Sequence, residues 1–110
     1  MKKKKVAPGR VIQEIADRIV SRFHPEKIIL FGSQARGGAG PDSDVDLLVV
    51  MPVEGSKRKK ATEIVLALQD LPYPIDVLVS TPEEFDWRKE VVGTIERPAN
   101  SEGKFLYGRP

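Results

Sequence analysis

Residues 27–50 read KIILFGSQARGGAGPDSDVDLLVV, two apolar runs held apart by a stretch dense in glycine. Lys27–Phe31 and Val45–Val50 have the length and the Ile, Leu and Val content of short buried strands. Between them Gly32, Gly37, Gly38, Gly40 and Pro41 predict a turn-rich connection with room for one helical turn.

Outward from this core, Ile12, Ile15, Ala16, Ile19, Val20 and Phe23 recur at three- and four-residue intervals, with Glu14, Asp17, Arg18 and Arg22 between them. The spacing predicts an amphipathic helix that His24 and Pro25 stop. Downstream, Ala61, Ile64, Val65 and Leu68 predict a second helix within Ser56–Leu71, with Lys57–Lys60 as a solvated face and Pro72 and Pro74 as its close. Ile75–Val79 reads as a third strand. Thr81, Pro82 and Glu84 supply an N-cap, a first-turn proline and the acid of a capping box, opening a third helix. Val91–Arg97 reads as helical up to the interruption at Pro98, Asn100–Gly103 as a turn, and Lys104–Tyr107 as a last strand. This order predicts an α/β (α+β) fold, a small mixed β-sheet flanked by helices.

The chain has 110 residues, 40% of them hydrophobic, which suits one domain over 9–110 behind a basic, disordered tail at 1–8. Without cysteine there is no disulfide framework, thiolate zinc site or cysteine nucleophile, as in a cytoplasmic protein. The longest apolar run, Leu47–Val53, is far short of the roughly 20 residues that span a bilayer, so no membrane role is expected. Four of the 18 basic residues are Lys2–Lys5, and the 14 that remain face 16 acids. The lysine run has no interleaved aromatic or arginine, so it reads as a solvated tail and not as a nucleic-acid-binding arm.

Three features carry chemistry: Gly32-Ser33 after strand one, Asp44-Val45-Asp46 at the start of strand two, and Asp76 at the start of strand three. A strand–helix–strand unit is normally a parallel crossover, so Asp46 and Asp76 share a sheet edge. Antiparallel pairing of strands one and two brings Gly32 to that edge too. Asp44 and Asp46, two apart, project to one face about 7 Å from each other at Cα, with Asp76 one strand away. Three gathered carboxylates repel unless a cation neutralises them. Hard oxygen ligands favour Mg2+, or Mn2+, over zinc, and two such ions can clamp an in-line phosphoryl transfer. Gly32 allows close backbone approach, Ser33 and the following amides can donate to phosphate, and Arg36 can add a charge-assisted contact. The turn is neither a P-loop nor G-x-G-x-x-G.

Gly32-Ser33, ten intervening residues, Asp44-Val45-Asp46 and a third acid in Ile75-Asp76-Val77-Leu78-Val79 together resemble the motif of the DNA-polymerase-β-like nucleotidyltransferases. FGSQARG and SDVDLLVV are similar to the minimal nucleotidyltransferases, the MntA-type antitoxins commonly paired with a HEPN-domain toxin. The resemblance runs from Ile28 to Phe85, with an echo in Glu102–Tyr107. It implies a polymerase-β-like nucleotidyltransferase fold, with Asp44 and Asp46 as metal ligands and Asp76 as ligand or base. It also implies that Gly32 and Ser33 hold the nucleotide, and that AMP passes from ATP to a tyrosine hydroxyl of the partner toxin. The alternatives are transfer to a small molecule such as an aminoglycoside, or a catalytically idle antitoxin that acts by binding alone. So short a chain is expected to need a homo- or hetero-oligomeric partner to enclose an acceptor. Phe85, Trp87, Phe105 and Tyr107 read as core or subunit contact, Tyr73 as part of an exposed loop, and His24 as a surface residue without chemistry.

Overall fold

The computed structural model describes residues 8–32 and 44–109. The lysine tail up to residue 7, the expected helical turn after Gly32, Ser33 and Arg36 lie outside the described residues. Helix α1 (Gly9–Phe23) is followed by β1 (Lys27–Phe31) and β2 (Val45–Val50), then α2 (Lys57–Leu66) and β3 (Ile75–Ser80). Helices α3 (Pro82–Arg88) and α4 (Glu96–Glu102) precede β4 (Lys104–Tyr107).

The four strands form one mixed sheet in the order β3-β2-β1-β4. Strand β2 runs antiparallel to β1 and parallel to β3, and β1 runs antiparallel to β4. The parallel pair follows from the α2 crossover, because a strand returning through a helix enters at the same edge. The two central strands are covered on both faces, which is why they read as continuous apolar runs and not as alternating ones.

On one face α1, α2 and the turn after it press Ile15, Ile19, Ile64 and Leu68 against Ile28, Leu30, Leu47 and Val49. On the other, Phe85 and Ala99 from α3 and α4 seal Ile29, Leu48 and Val50. Among the described residues no helix is long and apolar enough to cross a membrane.

Two boundaries differ from the sequence reading. The second helix ends at Leu66, not Leu71, and the chain then tightens: the amides of Leu68 and Leu71 donate to carbonyls three residues back, Val65 and Leu68. Pro72 and Pro74 bias their preceding residues away from helical geometry, yet Leu68 must stay in the core, and a tighter winding satisfies both. Arg18 braces this end by donating to the Ala67 carbonyl and to Asp70.

The second difference is at the C-terminus. Residues 91–95 form turns, and the helix starts at Glu96 and runs through Asn100, so Pro98 lies inside it. Pro98 is the third helical residue, where an amide would have had no intrahelical acceptor, so its missing N–H costs nothing. The Thr94 hydroxyl accepts from the Arg97 amide and completes the start. Gly103 then turns the chain sharply into β4. A Cβ there would sit 2.6 Å from Ile29 Cγ2 and run into the carbonyls of Ala99 and Leu30. Tyr73, read as part of an exposed loop, packs half-buried against the α1–α2 side of the core.

Candidate active site

Strand register gathers the acids. Asp46 is paired with Phe31 on β1 and with Asp76 on β3, and Asp44 lies two residues before Asp46 on the same face. That face is the one sealed by Phe85 and Ala99, yet Asp44 and Asp76 stay open to solvent at its rim. One carboxylate oxygen from each of Asp44, Asp46 and Asp76 lies within 4.8 Å of the others. Asp44 and Asp76 are exposed, whereas Asp46 is partly buried.

Burial pushes the Asp46 carboxyl above its ordinary value, and the charges of Asp76 and then Asp44 push it further the same way. An arrangement that penalises its own ionised state calls for positive charge. Three convergent hard oxygens, with no His or Cys in the cluster among the described residues, fit a divalent cation of the Mg2+ or Mn2+ type.

Gly32 closes the other side. It has φ +76°, and a Cβ on it would lie 2.6 Å from Asp46 Oδ2. Only glycine adopts this backbone freely and leaves the carboxylate its place. Of the residues singled out in the sequence, Asp44, Asp46, Asp76 and Gly32 are therefore brought together.

Two neighbouring concavities escaped the sequence reading. One, of about 230 Å³, lies beside Gly32 and is lined by Phe31, Ile95, Pro98 and Glu102. The other is a groove of about 490 Å³ between α2 and the edge strand β3, running from Asp76 past Leu66 and Leu78 to Arg58. Its signal was hidden because IDVLV looks the same whether its strand is central or at an edge. Of the aromatics, Phe85 is fully buried, while Trp87 is 57% exposed beneath the Arg88 guanidinium.

Known proteins resemble this chain in sequence and fold. A family model described as nucleotidyltransferase domain matches residues 12–100. A protein of Methanocaldococcus jannaschii, provisionally named a protein adenylyltransferase, is 31% identical over 101 residues, covering 89% of this chain and 96% of its own. A crystal structure described as a nucleotidyltransferase of Sulfolobus solfataricus superposes with a TM-score of 0.60 at 22% identity, over 91% of this chain and 79% of that one. A toxin–antitoxin crystal structure with AMP-PNP gives 0.54 at 19% identity, over 88% and 73%. At these identities the structures show a shared fold.

Proposed function

Because this chain belongs to the nucleotidyltransferase domain family and is a nucleotidyltransferase, we propose that it moves AMP from ATP to a hydroxyl of a partner protein, with release of pyrophosphate. The observation that carries this is the meeting of three carboxylates beside Gly32 at an open sheet rim. The protein acceptor is supported by the name of the Methanocaldococcus relative. The toxin–antitoxin neighbours support a toxin as that partner, the tyrosine of a HEPN-domain toxin being the acceptor the sequence resemblance implies.

Asp44, Asp46 and Asp76 are the residues that would hold Mg2+. Bound there, the cation supplies the positive charge that offsets negative charge building on the α-phosphate and the departing pyrophosphate. Gly32 leaves room beside β1 for the triphosphate, with Ser33 and Arg36 as its further contacts. Asp76, exposed on the edge strand, takes the proton of the acceptor hydroxyl. The hydroxyl oxygen bonds to the α-phosphorus as the bond from that phosphorus to the bridging oxygen breaks, and pyrophosphate leaves with the electron pair. Holding the reactants in line and offsetting their charge together contribute most of the acceleration, since the protein itself makes no covalent bond.

Intact-mass measurement of the neighbouring gene's product, incubated with this protein, ATP and Mg2+, tests the reading. A gain of one or more AMP units is expected, and none with Asp44→Asn or Asp46→Asn. Full activity in both variants would end it, and AMP recovered only on an aminoglycoside would move the acceptor to a small molecule.

A further inference from the structure

Resting on the protein-acceptor reading, we propose that the acceptor segment docks by adding an antiparallel strand to the free edge of β3. Its sequence order is acid, apolar, apolar, then the hydroxyl residue.

Among the described residues β3 pairs with β2 alone. The Pro74 and Ser80 carbonyls accept from Val45 and Met51 of the β2 side. Backbone groups alternate sides along a strand, so the even-numbered residues bond inward while Ile75, Val77 and Val79 turn their amides and carbonyls to the outer edge. Pro74 and Pro82 bracket the strand, limiting a sticky edge to six residues.

The groove beside this edge is graded. Leu66 and Leu78, 56% and 46% exposed, lie toward the Asp76 end, and exposed Arg58 stands at the other. In an antiparallel addition the residue opposite Asp76 is a non-hydrogen-bonded neighbour, with Cα atoms about 4.5 Å apart and side chains on one face. That face carries Asp44, Asp46 and Asp76, so a hydroxyl residue belongs there. The next position back meets the outer groups of Val77 and the apolar wall of α2, and the one before it meets exposed Leu78. The position opposite Val79 turns toward α2 and Arg58, where an acid is complementary. Affinity comes from main-chain bonds, and order comes from the side chains.

The probe is a short synthetic peptide with the core Glu-Val-Leu-Tyr, alongside its reversed-order and Phe-for-Tyr forms. The Phe peptide is expected to slow hydrogen exchange at the Val77 and Val79 amides, a readout independent of catalysis. With ATP and Mg2+, the Tyr peptide is expected to gain AMP. Val79→Pro, which deletes an outward donor and no sheet bond, should raise the peptide KM about tenfold. Arg58→Glu, a surface change that carries no folding risk, should raise it about fivefold, with recovery on a peptide bearing Lys in place of Glu.

AMP transfer with unprotected amides, or an equally good reversed peptide, overturns the docking and leaves the transfer reading standing. Protected amides with no AMP transferred to peptide or partner protein do the reverse.

Discussion

Asp46 carries a penalty that the folded chain imposes on it. A carboxyl whose pKa is raised on folding binds more protons folded than unfolded, so stability falls as pH rises through the window above its ordinary value. Above that window the metal-free protein bears the whole of that penalty. Asp46→Asn is therefore expected to raise the melting temperature of the metal-free protein while abolishing AMP transfer. In the unsubstituted protein, Mn2+ at a hundred times its dissociation constant should add about 2.7 kcal/mol of stability, a gain the variant should lose. Calorimetric melting with and without the ion checks both. Gly32→Ala is expected to destabilise by about 1–2 kcal/mol, since φ +76° strains alanine and its Cβ strikes the Asp46 carboxylate. Chemical denaturation measures the loss, and AMP transfer should fall with it because the displaced oxygen belongs to the site. At this scale the chain was legible: the two-residue spacing of Asp44 and Asp46 and the glycine before Ser33 state their requirement in sequence.

Among the elements, α3 reproduces its sequence signature in full. Thr81 accepts from the Glu84 amide, and Glu84 accepts in return from the Thr81 amide. Thr81→Ala should cost about 1 kcal/mol in urea unfolding. The start of α4 was illegible because it depends on tertiary partners. Buried Glu96 accepts from Ser80 Oγ at 2.9 Å and from Arg88 Nε at 3.0 Å, tying α4 to the end of β3 and to α3. No local spacing announces such a tie, whereas Pro98 announces a break that never comes. Removing the cation leaves the buried carboxylate with the Ser80 hydroxyl alone, so Arg88→Met is expected to destabilise by about 1–3 kcal/mol. Combining it with Glu96→Gln should recover much of that, with urea midpoints of the single and double variants as the check.

For the whole molecule, the order of elements was readable because apolar runs, proline stops and the handedness of crossovers leave few topologies. Which strand lies at the edge, and hence that Leu66 and Leu78 face solvent, was not, since hydrophobicity alone does not say what covers it. Acid stability follows from charges that bind distant segments. A hydrogen bond from Lys57 holds Glu84 below its ordinary value, and one from Arg18 does the same for Asp70. For depressed acids the contribution is present above the ordinary pKa and is lost as pH falls through the lowered one. Lys57→Met should therefore flatten the acid limb of the stability–pH curve, read by thermal melting across acidic buffers, and α2 and α3 would part sooner.

The central claim is that Asp44, Asp46 and Asp76 act together as one cation-holding centre for nucleotidyl transfer. Manganese titration of the nucleotide-free protein, followed by electron paramagnetic resonance, tests it most directly. The free-ion signal should be quenched by the unsubstituted protein and persist with Asp44→Asn or Asp46→Asn. An undiminished signal with the unsubstituted protein, or equal quenching by both variants, would contradict the claim.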